Sequence, residues 1–123
     1  MYSAVLPVQI ARAAPGAPRT RRIETVIDSG AGRCVFHAAF AYEIGLDLKA
    51  GDREVLHGIG GPEETWVHDI VLHTFAGSIS IRAGFKEDLP LAGLLGMNGF
   101  FEHFNVTFHG ALLQCGIDRI AVQ

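Results

Sequence analysis

The 123-residue chain lacks the cysteine and histidine patterns that are typical of metal-binding proteins. Its two cysteines, Cys34 and Cys115, lack the spacing of a metal site, so buried free thiols are expected, although a disulfide between them stays open. Its six histidines form neither an H-x-x-x-H nor an H-E-x-x-H arrangement. We therefore expect no metal site and no cofactor.

Excess positive charge and long apolar runs are missing as well. The net charge is −3, and the one basic cluster, RTRR at 19–22, contains no aromatic residue, so no nucleic-acid partner is expected. No apolar run approaches the roughly 18 residues that span a bilayer. The N-terminal segment has no cationic start, and Pro7, Gln9 and Arg12 interrupt its apolar residues. We expect a cytoplasmic protein without a membrane partner.

Apolar residues are, by contrast, abundant. They make up 49% of the chain against 19% charged residues, which indicates that a second subunit covers part of the surface. A chain of this length is expected to form one domain, residues 1–123, and to bury about two-thirds of its unfolded surface.

The residue pattern predicts a mainly β domain. Fifteen glycines separate short runs of β-branched and apolar residues. Phe36, Phe40 and Ile44 recur at helical spacing, so residues 36–46 are predicted to form a short helix that Gly45 ends. The predicted strands cover 4–12, 21–28, two runs within 53–74 around a glycine-rich turn, 77–85, 91–96, and two runs within 105–122.

One short stretch combines a strand with an unexpected charge. In TVIDSGAGRCVF, residues 25–36, an apolar run ends on Asp28 and turns at once through a hydroxyl residue and a glycine. A carboxylate at the rim of a core is costly unless it is hydrogen-bonded or used in chemistry. Asp28 is therefore the first candidate for a functional residue.

The same stretch resembles the active-site signature of a known family. VIDSGA (26–31) is similar to the Asp-Ser/Thr-Gly-Ala motif of retropepsin-like, or retroviral-type, aspartic proteases. Further along, HGIGG (57–61) resembles the glycine-rich flap tip of that family, and LLG (94–96) resembles the segment that passes through the active-site loop. The predicted helix (36–46) matches one that cellular and bacterial members often carry after the active-site turn. The likeness covers nearly the whole chain.

The resemblance implies a closed, mainly β barrel of the acid-protease type with one or two short helices. It also implies a role for each matched position. The catalytic element would be Asp28, Ser29 and Gly30, with the Gly30 N–H holding the carboxylate. The implied substrate-binding residues come from the active-site loop, the flap and the apolar segment: Ala31, Gly32, Arg33, Gly58, Ile59, Gly60, Gly61, Leu94, Leu95 and Gly96.

Two positions depart from the family pattern and bear on substrate preference. Gly32 stands where retroviral enzymes usually place an acid, and Asn98 stands where bacterial and cellular relatives often have one. Arg33 lies beside the expected side-chain pockets, and we expect it to favour acidic residues in the substrate.

The chain contains one Asp-Ser-Gly and no Asp-Thr-Gly, although the chemistry of the family needs two carboxylates. The ionised carboxylate takes a proton from the attacking water, and the protonated one donates to the peptide carbonyl. The second carboxylate must then come from a second copy of the chain. The resemblance thus predicts a homodimeric aspartic endopeptidase that cleaves an extended peptide or protein.

Two other hypotheses stay open from the sequence. The same fold could serve as a non-catalytic dimerisation or peptide-binding module, in which Asp28 is kept for its hydrogen bonds. The third hypothesis is a structural β-barrel unrelated to proteases. Cleavage by the native chain, and its loss in a variant with Asp28→Asn that still dimerises, would separate the first two hypotheses.

Overall fold

The computed structural model describes residues 4–28, 30–58, 61–109 and 114–119, and it describes the backbone alone for 56–58, 61, 105–109, 114–116, 118 and 119. These residues form a mainly β structure, as predicted, with one short α-helix and one 3-10 turn. Within the ranges described, no helix combines the length and the apolar composition that crossing a membrane requires.

The described elements run from a long N-terminal strand to a C-terminal hairpin. The strands are β1 (Ala4–Arg12), β2 (Ile23–Ile27), β3 (Val35–His37), β4 (Asp52–Gly58), β5 (Gly61–Thr74), β6 (Gly77–Lys86), β7 (Gly93–Leu95), β8 (Phe104–His109) and β9 (Gln114–Arg119). Helix α1 (Ala38–Glu43) and the 3-10 turn (Leu48–Ala50) lie between β3 and β4.

Among the described strands, six close into a barrel. The order of hydrogen-bonded neighbours around it is β1, β2, β7, β3, β6, β5 and again β1. Strand β5 is 14 residues long and therefore pairs with different strands along its length. Its residues 70–73 pair with β1, whereas residues 61–67 pair with β4 outside the barrel. Strands β8 and β9 form a separate antiparallel pair. The predicted closed barrel is confirmed.

The core lies inside the barrel because apolar residues alternate along its strands. Leu6, Val8 and Ile10 of β1 are buried, as are Ile79 and Ile81 of β6, while the residues between them are more exposed. Burying one such side chain contributes about 1.5–3 kcal/mol relative to leaving it exposed. The packed interior therefore holds the strands whose ends carry the candidate site.

The helix is shorter than the sequence pattern predicted. Phe36 does not belong to it: this residue lies in β3, is fully buried, and pairs with Phe85 of β6 and Gly93 of β7. The helical spacing from Phe36 to Phe40 misled the prediction because pairing in a buried sheet outweighs a weak local preference. The predicted end is confirmed, since Gly45 follows α1 with a φ of +76°, which glycine adopts without strain.

Strand β1 has the predicted bounds, 4–12, whereas the other predicted strands form with shifted ends. Strand β2 begins at Ile23 and not at residue 21, since Arg21 and Arg22 are exposed and precede the paired residues. The hairpin predicted around the glycine-rich turn forms as β4 and β5. Its tip, Ile59 and Gly60, lies outside the described residues.

Candidate active site

The paired ends of β2 and β7 position Asp28 at the rim of the barrel. Strand β7 runs parallel to β2, with Val26 opposite Leu94 and Ile27 opposite Leu95. The pairing continues past the strand, because the N–H of Asp28 donates to the carbonyl oxygen of Leu95 at 2.9 Å. Leu95 is fully buried, so the backbone of Asp28 rests on the packed core.

The turn that follows Asp28 orients its carboxylate. The Oδ1 atom accepts a hydrogen bond from the N–H of Gly30 at 2.8 Å, and the Asp28 carbonyl oxygen accepts one from Ala31 at 3.1 Å. A Cβ on residue 30 would lie only 3.1 Å from Oδ1, so glycine permits this close approach. Asp28 is exposed in the single chain. Ser29 lies outside the described residues.

The loop after Asp28 is hydrogen-bonded to the segment that follows β7. Met97 donates its N–H to the carbonyl oxygen of Ala31 at 2.8 Å, and Asn98 donates to that of Gly32 at 3.1 Å. Asn98 also accepts a hydrogen bond from the N–H of Cys34 at 3.4 Å, so it joins the two segments through its backbone. These bonds fix the position of the loop relative to the barrel.

Gly96 lies where the segment after β7 crosses the Asp28 loop. A Cβ on this residue would lie 2.6 Å from the carbonyl oxygen of Ala31 and 2.7 Å from that of Arg33. Real Cβ atoms do not approach backbone oxygens so closely, and hydrogen bonds hold the loop on this side. The crossing therefore requires glycine for steric reasons.

Arg33 extends from the loop to β4. Its Nε and Nη2 atoms donate to Oε1 and Oε2 of Glu54 at 3.0 and 2.9 Å, which makes a two-point ion pair. The pair borders a cavity of about 400 Å³ beside the loop. The lining residues are Ala31, Gly32, Arg33, Val35, Glu54, Leu94 and Asn98.

Cys34 lies behind the loop. Its side chain is fully buried, and its Sγ accepts a hydrogen bond from the N–H of Gly96 at 3.4 Å. Burial raises the pKa of the Cys34 thiol from its ordinary value of 9.0 to about 11, so the thiol stays protonated at neutral pH and is a poor nucleophile. The predicted buried free thiol is confirmed for Cys34. The side chain of Cys115 lies outside the described residues.

The raised pKa of Cys34 predicts a loss of stability in alkaline solution. The unfolded chain releases the thiol proton near pH 9.0 and the folded chain near pH 11, so the free energy of unfolding falls as the pH rises between these values. This group alone should remove roughly 3 kcal/mol over that window. The measurement is urea denaturation from pH 8 to pH 11 of the native chain and of a Cys34→Ala variant.

The variant serves as the reference in that experiment because all other titrating groups contribute equally to both proteins. We expect Cys34→Ala to lower the free energy of unfolding at pH 8 and to lack this part of the alkaline decline. A constant difference between the two proteins across the whole range would contradict the buried, protonated thiol.

The structure brings most of the sequence-predicted site residues together. Those that lie along the Asp28 loop and the β7 crossing are Asp28, Gly30, Ala31, Gly32, Arg33, Leu94, Leu95 and Gly96. Gly58 and Gly61 face each other where β4 and β5 meet. Ser29, Ile59 and Gly60 lie outside the described residues.

Sequence reasoning missed two residues of the cavity, Val35 and Glu54. Val35 lies within TVIDSGAGRCVF, two residues after Arg33, and could have been found as an apolar neighbour of the loop. Glu54 lies 21 residues from Arg33 along the chain. The sequence feature that could have indicated it is an acidic residue within the strand-like run REVLHG. That signal does not identify the partner of the acid.

The closed barrel with the Asp28 turn at its rim is the arrangement that the resemblance to retropepsin-like aspartic proteases predicts. A family model described as "Aspartyl protease" matches residues 15–98, a span that contains the Asp28 loop, β4, β5 and β7. The chain therefore belongs to the aspartyl protease family. A comparison with curated proteins found no match.

Solved structures with the same fold come from several sources. The retroviral protease-like domain of Ddi1 from Leishmania major has a TM-score of 0.66 and 19% identity, over 98% of this chain and 91% of that chain. A retropepsin-like aspartic protease from Rickettsia conorii has a TM-score of 0.66 and 14% identity, over 94% and 88%. EIAV protease in complex with an inhibitor has a TM-score of 0.57 and 18% identity, over 76% and 81%. The likeness confirms the predicted retropepsin-like fold.

Proposed function

We propose that the chain is an aspartic endopeptidase that acts as a homodimer, with Asp28 of each copy at the two-fold axis. The observation that carries the proposal is an exposed carboxylate at the end of a barrel strand, oriented by the N–H of Gly30 at 2.8 Å. None of the ion pairs among the described residues involves Asp28. Within the described part of the chain, the acid is thus oriented without an ion-pair partner to neutralise it.

Exposed apolar residues near Asp28 support a face that a second copy covers. Val5 is 53% exposed and lies opposite Val26, two residues before Asp28. Met97 is 47% exposed and is hydrogen-bonded to the loop at Ala31. Apolar side chains of this size gain stability when a partner removes them from water. A two-fold contact at this face would bring the two Asp28 side chains near each other.

Two carboxylates in contact can supply both proton transfers of peptide hydrolysis. Two negative charges at a separation of about 3 Å repel strongly, so the pair retains one proton between them. The ionised Asp28 removes a proton from water as the water oxygen attacks the peptide carbonyl carbon. The protonated Asp28 donates to the carbonyl oxygen, and proton transfer to the nitrogen then allows the C–N bond to break.

The surroundings of Asp28 suit an extended peptide. In the proposal, the hairpin tip formed by Gly58, Ile59, Gly60 and Gly61 closes over the bound peptide and its amides bond to the peptide carbonyls. The cavity beside the loop receives one substrate side chain, with Leu94 as part of its apolar wall. Ser29 would bond across to the opposite chain.

The requirement for two chains is tested by the dependence of activity on protein concentration. Cleavage of a library of unstructured peptides is followed by mass spectrometry, and the oligomeric state is measured by sedimentation at the same concentrations. We expect the rate to rise with the square of the concentration where monomer dominates and linearly where dimer dominates.

Two outcomes would contradict the proposal. A linear rate from a chain that stays monomeric at every concentration would mean that one chain carries the complete site. A dimer that cleaves no peptide in the library would favour the non-catalytic binding module.

A further inference from the structure

The ion pair between Arg33 and Glu54 links the active-site loop to the β4–β5 hairpin. The two N···O distances are 3.0 and 2.9 Å, and each of the two guanidinium nitrogens donates to a different carboxylate oxygen. The Arg33 side chain is 23% exposed and that of Glu54 35% exposed. The pair is thus half-buried, and its two-point geometry fixes the guanidinium more firmly than a single exposed contact would.

The path of Arg33 across the sheet explains why it meets Glu54. Gly84 of β6 pairs with Val35 and donates its N–H to the carbonyl oxygen of Cys34 at 2.9 Å. The Cδ of Arg33 lies 3.7 Å from the place where a Cβ on Gly84 would be, so the arginine stem packs over this glycine. This packing of the stem limits the directions in which the guanidinium can point.

The lining of the cavity beside the pair combines apolar and charged residues. Its apolar lining comes from Ala31, Val35 and Leu94, and the charged part of its lining is the ion pair itself. Ala31 is also hydrogen-bonded to the carbonyl oxygen of Asp28, so the cavity begins next to the proposed catalytic residue.

We propose that Glu54 is a specificity-determining residue: by neutralising Arg33 it makes the cavity select an uncharged, mainly apolar substrate side chain and reject an acidic one. This inference rests on the proposed endopeptidase function. It also reverses the expectation from sequence that Arg33 favours acidic residues in the substrate. The reason is that both carboxylate oxygens of Glu54 already occupy the guanidinium.

The charges in the cavity explain the selection. A substrate carboxylate would have to displace Glu54 from Arg33 or lie beside it, and either arrangement leaves two acids to share one guanidinium. A substrate cation would face the guanidinium of Arg33 in the same way. An uncharged side chain can bury its apolar surface and leave the pair intact.

The test is the cleavage preference of a Glu54→Gln variant. Native chain and variant are given the same library of unstructured peptides, and mass spectrometry counts Glu against Gln at each position around the cleaved bonds. Removal of the Glu54 charge leaves the Arg33 guanidinium free for a substrate carboxylate. At the substrate position whose side chain enters the cavity, we expect the variant to cleave Glu peptides better relative to Gln peptides. The ratio of their kcat/KM values should rise at least about tenfold over that of the native chain.

Glu64→Gln is the matched control. It removes the same charge from the same hairpin, but Glu64 pairs with the exposed Arg53 and is not part of the cavity lining. We expect its cleavage preference to equal that of the native chain.

A charge exchange keeps the inference testable if Glu54→Gln folds poorly. The double variant R33E/E54R can re-form the pair in the opposite direction, and we expect it to retain the preference of the native chain for uncharged side chains. R33Q alone should shift the preference at the same position toward basic side chains, because Glu54 then lacks its partner.

The outcomes separate this inference from the proposed function. If the native chain cleaves peptides and Glu54→Gln shows the same preferences as Glu64→Gln, the role of Glu54 is overturned while the endopeptidase stands. If the native dimer cleaves nothing, the proposed function is wrong and the inference is overturned with it.

Discussion

Replacement of Asp28 by asparagine is expected to lower peptide cleavage at least about a thousandfold. An amide can neither take a proton from the attacking water nor donate one as a carboxylic acid does. The fold should survive, because the asparagine side-chain oxygen can still accept the hydrogen bond that the N–H of Gly30 gives to Oδ1 at 2.8 Å. The measurement is kcat/KM on a peptide that the native chain cleaves, with circular dichroism and sedimentation to verify fold and dimer.

Asp47→Asn provides the matched control for Asp28→Asn. Asp47 is exposed and directly precedes the 3-10 turn, and its side chain makes no hydrogen bond that caps this turn. The same chemical change at Asp47 should leave cleavage unchanged. Full activity in the folded, dimeric Asp28→Asn variant would rule out the proposed pair of carboxylates.

Mixing the two proteins tests whether both copies of Asp28 are needed. If a mixed dimer is inactive, a threefold excess of the Asp28→Asn chain should lower the activity per native chain to about a quarter, because most native chains then pair with an inactive one. Unchanged activity per native chain under conditions of chain exchange would mean that one carboxylate suffices.

Replacement of Gly96 by alanine is expected to lower the free energy of unfolding by about 3 kcal/mol, at the upper end of the usual cost of overpacking. The added Cβ would lie 2.6 Å from the carbonyl oxygen of Ala31 and 2.7 Å from that of Arg33. Neither oxygen belongs to a side chain that can rotate away, and moving Ala31 breaks the 2.8 Å hydrogen bond from Met97. Urea denaturation at fixed protein concentration measures the loss.

Gly32→Ala is the control for Gly96→Ala. A Cβ on Gly32 would have no heavy atom within 4 Å, so the same substitution in the same loop should change the free energy of unfolding by less than about 0.5 kcal/mol. An equally small effect at Gly96 would mean that the two segments do not cross as closely as described.

The parts of the site that could be predicted from sequence are those made by near neighbours. The hydrogen bond that orients Asp28 comes from Gly30, two residues away, so a motif of consecutive residues contains the whole interaction. Strands β1 and β6 could also be predicted, because burial on one face of a strand produces an alternation of apolar and polar residues in the sequence.

Residues whose contacts come from distant parts of the chain could not be interpreted in this way. Phe36 has helical spacing with Phe40, yet its sheet partners Phe85 and Gly93 place it in a strand. Arg33 was expected to attract acidic substrates, because nothing near it in sequence indicates a carboxylate. Its partner Glu54 lies 21 residues away and reaches it only through the pairing of β3, β6, β5 and β4.

The sequence alone determined the mainly β class, the Asp28 turn and the resemblance to retropepsin-like proteases, since each depends on short-range order along the chain. Tertiary structure alone decided that Arg33 is neutralised and that Gly96 has no space for a side chain. It also decided that Cys34 is buried against Gly96, 62 residues away. These properties depend on contacts between segments that are distant in sequence. Such contacts produce no periodic pattern in the residues of either segment.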